Sequence, residues 1–265
     1  MPTYTISLDN YFKIYPYYIK MPPKKSKIVE NDDGKIINFY ETIPSKFLDA
    51  KLPNPNKAIH NFDLPFRLCC VAPSGSGKTN WIVNLISLFC KGKGTFSQIT
   101  ICCKDKEEPL YKYLASLSDS ISVKEGGLEN LPVLDKSKID KEVATLVIID
   151  DCQNDKNQLR VIDYYIRCRK FGVSIAFLAQ NYFVIHKTIR NNCSYLVLLK
   201  CGSMRELTII LKESGFGVTQ EQLVKMYQYA TKNKFSPLII DNESTDVTHR
   251  YRKGFTEYLN PADFN

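Results

Sequence analysis

The stretch Arg67-Leu-Cys-Cys-Val-Ala-Pro-Ser-Gly-Ser-Gly-Lys-Thr-Asn-Trp-Ile-Val-Asn-Leu-Ile86 decides the fold. Leu68–Val71 is a short apolar run that stops at a Pro-Ser-Gly-Ser-Gly turn, the pattern of a strand buried on both faces. Trp81-Ile-Val-Asn-Leu-Ile86 then carries an apolar helix. Between them, Gly75 and Gly77 let the backbone turn its N–H groups inward, where side chains would obstruct. The positive end of the following helix adds to that field. Strand, glycine loop and helix in this order make a cradle for phosphate groups. The residues expected to hold ATP are Ala72, Pro73, Ser74, Gly75, Ser76, Gly77, Lys78, Thr79 and Asn80. Lys78 can reach the β- and γ-phosphates, and the Thr79 hydroxyl can ligate Mg2+. Ala72 stands where the usual pattern G-x-x-x-x-G-K-[ST] begins with glycine, a small departure.

A phosphate cradle needs a carboxylate for the metal, and the next strand-like run supplies it. Thr145-Leu-Val-Ile-Ile-Asp-Asp151 is apolar up to two acids. Asp150 is placed to hold the Mg2+ shell. Asp151, one residue on, is the candidate base for an attacking water. The run Ser174-Ile-Ala-Phe-Leu-Ala179 ends in Gln180-Asn181, and a polar group at that tip can bond the water or the γ-phosphate. Arg167, Arg169 and Arg190 flank this strand in sequence. Such arginines serve either as a finger on transition-state charge or as contacts to a nucleic-acid backbone, and the residues alone leave both open.

Outward from these motifs the chain alternates. Phe66–Val71, Gln98–Cys103, Thr145–Ile149, Ser174–Ala179, Tyr195–Leu199 and Leu238–Ile240 read as strands. Thr79–Phe89, Pro109–Leu117, Asn157–Arg169, Ser203–Lys212 and Gln220–Thr231 read as helices. Ser203 with Glu206, and Thr219 with Gln222, have capping-box spacing. This predicts an α/β P-loop NTPase core with a mostly parallel sheet and helices on both faces. Residues 58–265 form that domain. Residues 1–57, rich in Tyr and Lys, form a short N-terminal extension in which Thr3–Leu8 alternates like a strand and Met21–Asp33 reads as a linker.

Composition narrows the classes. The 265 residues are 44% hydrophobic and 24% charged, ordinary for a globular domain. No apolar run is long enough to span a bilayer, and no secretory leader is present, so a cytosol-like compartment is expected. The nine cysteines include the adjacent pairs Cys69–Cys70 and Cys102–Cys103 and no C-x-x-C, which fits reduced, buried thiols rather than zinc or disulfides. Between Lys156 and Arg205 nine basic residues face one acid, Asp163, against a net charge of +8 for the whole chain. That density points to a polyanion, nucleotide or nucleic acid.

Together, Ala72–Thr79, Leu146–Asp151, Ile175-Ala-Phe-Leu-Ala-Gln-Asn-Tyr182 and Thr188-Ile-Arg-Asn-Asn192 resemble the genome-packaging ATPases of the FtsK–HerA superfamily. The likeness is nearest to the poxvirus-type enzymes of large cytoplasmic DNA viruses and virophages, and runs from about residue 60 to residue 258. It implies an ATP-hydrolysing motor, assembled as a homo-oligomeric ring, that drives double-stranded DNA into a capsid and meets a capsid or portal protein. It also implies a host-cell cytoplasmic location, in the virus factory and extending to the virion. By the same likeness Gln180 is the γ-phosphate sensor, and Arg169, with Arg167 as its rival, is a finger offered to a neighbouring subunit. Two other classes compete: a small P-loop nucleotide or nucleoside kinase, which would need a second substrate pocket and a lid, and a virion protein that binds nucleotide without turnover.

Overall fold

The structure is a computed structural model that describes residues 34, 36–45, 48, 51–135, 143–201, 203–215 and 217–265. The strand expected at Thr3–Leu8 and the linker at Met21–Asp33 lie outside the described residues. The chain divides into two compact units, Met1–Leu48 and Asp49–Asn265. In the first, one helical turn, Phe39–Thr42, is capped by the Asn38 side chain, which accepts from the Tyr40 N–H.

The second unit is built on a nine-stranded sheet. Its strands are β1 (Arg67–Val71), β2 (Gln98–Cys103), β3 (Ile121–Glu125), β4 (Thr145–Asp150), β5 (Val173–Ala179), β6 (Tyr195–Leu198), β7 (Leu238–Asp241), β8 (Tyr251–Lys253) and β9 (Glu257–Tyr258). Across the sheet they run β3-β2-β4-β5-β1-β6-β7-β8-β9. The six strands from β3 to β6 are parallel, and β7, β8 and β9 extend the sheet antiparallel. The main helices are α1 (Lys78–Phe89), α2 (Pro109–Leu117), α3 (Gln158–Arg167), α4 (Lys187–Asn191), α5 (Met204–Ser214) and α6 (Gln220–Ala230). The α/β architecture expected from the alternation is the one observed.

Each central strand feeds two cores, which is why none alternates with polar residues. Leu68, Cys70, Ile148, Ala176 and Leu178 pack on one face with Trp81, Ile82 and Phe89 of α1 and Leu114 of α2. Cys69, Val71, Ile149, Ile175 and Phe177 pack on the other with Tyr165 of α3, Leu207 of α5 and Met226 of α6. The adjacent cysteines follow from this pleat: Cys69 and Cys102 face one core, Cys70 and Cys103 the other. All nine thiols are free; seven are buried, whereas Cys90 at the end of α1 is exposed.

Helix ends agree with their sequence signals. Thr219 and Gln222 form a full capping box at the start of α6, and the Ser203 side chain accepts from the Glu206 N–H at the start of α5. The helix expected over Asn157–Arg169 stops at Arg167 and tightens into a 3-10 turn, Cys168–Phe171. Gly172, in the left-handed region, ends that turn, and β5 starts at the next residue, Val173.

The end of α1 shows what holds the cradle's helix to the sheet. Phe89 is fully buried, stacks on Phe66 at 5.9 Å between centroids and meets Phe96 edge-on at 4.8 Å. Its backbone carbonyl accepts from the Asn56 amide at 3.1 Å. Phe89→Ala should lower stability by about 3–5 kcal/mol, through lost contacts plus the cavity left behind. The denaturant midpoint, at constant slope, measures it; a change below about 1 kcal/mol would mean that the aromatic cluster is not what anchors α1.

Candidate functional site

Three strand tips meet at one edge of the sheet. Because β5 lies between β1 and β4, with Val71 beside Ala179 and Asp150 beside Leu178, the loop after β1 and the residues ending β4 and β5 project together. Parallel α/β sheets place their ligands at this carboxyl edge. A cleft of about 420 Å³ opens there, lined among others by Ser74, Gly75, Gly77, Lys78, Thr79 and Asn80 of the loop and by Asp150, Asp151 and Gln180.

The loop has the backbone that phosphate binding requires. Gly75 and Gly77 have φ of 74° and 92°, the region that glycine enters without strain. Ala72 has no positive φ, is buried, and donates its N–H to the Ala179 carbonyl at 3.1 Å. It therefore still belongs to the strand ladder, and an alanine serves where the usual pattern has glycine. The buried Lys78 ammonium donates to the Ala72 and Pro73 carbonyls at 2.7 and 3.2 Å. This holds the side chain back across the loop at its base. Ser76 does not line this cleft; it lines a second cavity on the far side of the loop.

Asp150 and Thr79 form the part of the site suited to a metal. The Thr79 hydroxyl donates to Asp150 Oδ2 at 3.4 Å, and the Tyr111 hydroxyl donates to the same oxygen at 2.5 Å. A hydroxyl and a carboxylate are hard oxygen donors, and with phosphate oxygens and waters they are a set that suits Mg2+. Among the described residues no group of three or more His, Cys, Asp or Glu side chains able to hold a metal ion stands together, at this site or elsewhere. Burial pushes the Asp150 carboxyl above its ordinary range, while the Tyr111 bond and the Lys78 charge pull it back.

Asp151 differs from its neighbour in every respect. It is exposed and holds φ at 54°, a left-handed conformation uncommon outside glycine. That turn swings its carboxylate out of the strand, where Oδ1 accepts from the Gln180 amide at 2.7 Å and from the Gln153 amide at 3.0 Å. Asp151 and Gln180 thus form one hydrogen-bonded pair facing the loop. Such a pair can orient a water and take its proton.

Tyr111 is the residue that sequence reasoning missed. It stands on α2, directly after β2, and is buried against Asp150. The available signal was topological: the residues following β2 must border the carboxyl edge beside β4. Lys104, Asp105 and Glu108 line the same wall.

The structure keeps the two finger candidates away from this cleft. Arg169 sits in the turn before β5, at the amino edge of the sheet, where Nη1 lies 3.5 Å from Glu243 Oε1. Arg167 pairs with Asp163 at 3.1 Å. The basic run does not form one uniform face either. Arg160 donates to the Leu128 and Glu129 carbonyls at 2.9 and 3.2 Å, and Arg190 is paired with Glu213 at 2.8 Å. Lys156, Lys170, Lys187, Lys200 and Arg205 are exposed.

The nine-stranded sheet, the glycine loop and the acid-tipped strand two places away define a P-loop nucleotide-binding protein. The family is narrower: a model of the poxvirus A32 protein matches residues 59–250, and the chain belongs to that family. No curated protein matches the chain. Among solved structures, the genome packaging NTPase B204 from Sulfolobus turreted icosahedral virus 2, in complex with AMP, is similar at a TM-score of 0.51. It shares 15% identity over 73% of this chain and 98% of its own. B204 from Sulfolobus Turreted Icosahedral Virus, described as a DNA-packaging ATPase, matches at 0.50 and 15% identity over 76% and 98%. At such identity the likeness establishes a shared fold.

The Tyr111–Asp150 bond generates a pH test. A carboxylate holds a cation only when ionised, so if Asp150 is a ligand, Mg2+-dependent ATP binding should be lost as pH falls through its pKa. Tyr111→Phe removes a donor that favours the ionised form, so the acid limb should move to higher pH, with Mg2+ affinity near that limb about ten-fold weaker or more. An unchanged pH profile would reduce Tyr111 to packing.

Proposed function

We propose that this chain is an ATP-hydrolysing motor that drives double-stranded DNA into a viral capsid. Its membership of the poxvirus A32 family and the fold it shares with genome-packaging NTPases support that reading. The observation that carries it is the convergence of Lys78, Thr79, Asp150, Asp151 and Gln180 on one cleft. In this reading the loop N–H groups and Lys78 bind the phosphates, and Thr79 and Asp150 hold Mg2+, which offsets charge on the β- and γ-oxygens. Gln180 positions the attacking water and Asp151 takes its proton. The exposed Lys156, Lys170 and Lys187 of the Lys156–Arg205 segment serve the DNA backbone. The chain works as a homo-oligomeric ring against a capsid or portal protein, in the host-cell cytoplasm. No described helix is long and apolar enough to cross a membrane.

ATP turnover measured with and without double-stranded DNA tests the reading, with DNA expected to raise the rate. Lys78→Ala should abolish ATP binding, because it removes the main positive charge facing the β/γ-phosphates. Asp151→Asn should bind ATP and lose hydrolysis by about 10²-fold or more, since an amide accepts no proton. Wild-type turnover by Asp151→Asn would remove the base from that position.

Arg169 lies too far from its own cleft to act there, so its role as a finger requires a neighbouring subunit. Arg169→Ala alone should slow turnover by roughly 10³–10⁵-fold. Mixed with Lys78→Ala it should recover part of the activity, because some interfaces then pair an intact finger with an intact cradle. Absence of recovery in demonstrably mixed assemblies would return Arg169 to its ion pair with Glu243.

A further inference from the structure

A second cavity, of about 380 Å³, adjoins the phosphate loop on the side away from Asp150. It is lined by Gly75 and Ser76 of the loop, by Lys200 after β6, and by the α6–β7 connection, which brings Lys232, Lys234 and Phe235. Three ammonium groups and one aromatic ring stand there with no carboxylate among the lining residues. Phe235 is a bulky residue held at φ 69°, a conformation that such side chains rarely adopt and that marks functional loops when the surroundings enforce it. Its ring packs directly on the cradle: a Cβ on Gly77 would overlap the Cδ1–Cε1 edge of the Phe235 ring. The ring is 40% exposed, and the Lys234 ammonium lies 4.9 Å from its centroid.

From this geometry we propose that Phe235 is the platform on which the nucleobase of the bound nucleotide stacks, with Lys200, Lys232 and Lys234 around the sugar and α-phosphate. The proposal rests on the reading of Ala72–Thr79 as a triphosphate cradle, and strand order gives it direction. Asp150, Asp151 and Gln180 lie on the β4–β5 side of β1, which fixes where the γ-phosphate points. The base must leave the loop on the other side. That side is occupied by β6 and β7, whose connections supply Lys200 and Phe235. A ring face with cations beside it suits a flat π-system that carries negative phosphates, whichever base it bears.

The test compares ATP with inorganic tripolyphosphate, which fills the cradle and has no base. Dissociation constants with Mg2+ are measured for the wild type and for Phe235→Leu, Phe235→Ala and Phe235→Tyr. Wild type should bind ATP more tightly than tripolyphosphate. Phe235→Leu, which keeps bulk against Gly77, and Phe235→Ala should weaken ATP about ten-fold or more and leave tripolyphosphate unchanged. Phe235→Tyr, which keeps the ring, should stay within about three-fold of wild type for ATP. If Leu and Ala weaken both ligands equally, the ring merely shapes the loop and the proposal falls. If wild type binds both ligands equally, there is no base subsite, although the cradle reading stands. If wild type binds neither, the cradle reading itself fails. Variants with normal ATP affinity but reduced binding to a random-sequence DNA duplex would overturn the proposal and make the cavity a DNA-phosphate contact.

Discussion

The site depends on the parallel hydrogen-bonded register of β4, β5 and β1. Pairing of Asp150 with Leu178 and of Val71 with Ala179 brings three strand tips to one line, and the glycine loop, the acid pair and Gln180 inherit their positions from them. A one-residue slip would turn each strand over, placing core residues at the tips and burying the acid pair. Such a slip is prevented on both faces, because each strand contributes side chains to both hydrophobic cores. The apolar packing that stabilises the fold is therefore also what aligns a carboxylate, an amide and a glycine loop.

Within that frame the two adjacent acids are held in opposite environments. Asp150 is the last residue of the ladder, buried, and bonded by Tyr111 and Thr79. Desolvation raises its pKa, so the folded state holds its proton more tightly than the unfolded chain does. Ionisation therefore costs stability as pH rises toward neutrality, and a bound cation offsets that cost. Asp151 steps out of the ladder through its positive φ and meets solvent and two amides. One residue of chain separates a buried, hydrogen-bonded carboxylate from an exposed one.

Much of this was legible in the sequence, and the exceptions have physical causes. Leu68–Val71, Gln98–Cys103 and Thr145–Ile149 read as strands because burial on both faces leaves continuous apolar runs. β3 escaped that reading because Ile121–Glu125 is an edge strand whose later residues, Lys124 and Glu125, face solvent. β8 and β9 are too short to show a period. The meeting of Lys78, Asp150 and Gln180 in one cleft was legible because each stands at or shortly after the carboxyl end of a readable strand. Tyr111 was not, since it reaches Asp150 across 39 positions through packing of α2. Charge was the least legible quantity. The run from Lys156 to Arg205 looks continuous along the chain, yet Arg160 and Arg190 are spent on carbonyls and on Glu213, and only the remainder meets solvent.

The position of Arg169 carries the geometry one step further. Its turn precedes β5, whereas Gln180 follows that strand, so the seven residues Val173–Ala179 separate them by roughly 20 Å at the rise of an extended chain. A chain cannot bring both to its own cleft without breaking the ladder with β1 and β4. For Arg169 to act on a γ-phosphate, the amino edge of one sheet must therefore face the carboxyl edge of the next. That is a head-to-tail contact between unlike surfaces, and such contacts propagate until they close into a ring or continue as a filament. A two-fold dimer would meet the same need only by exchanging both edges reciprocally, each finger crossing to the other chain's cleft. The same strand that aligns the cleft thus requires a second chain in any assembly in which Arg169 is catalytic.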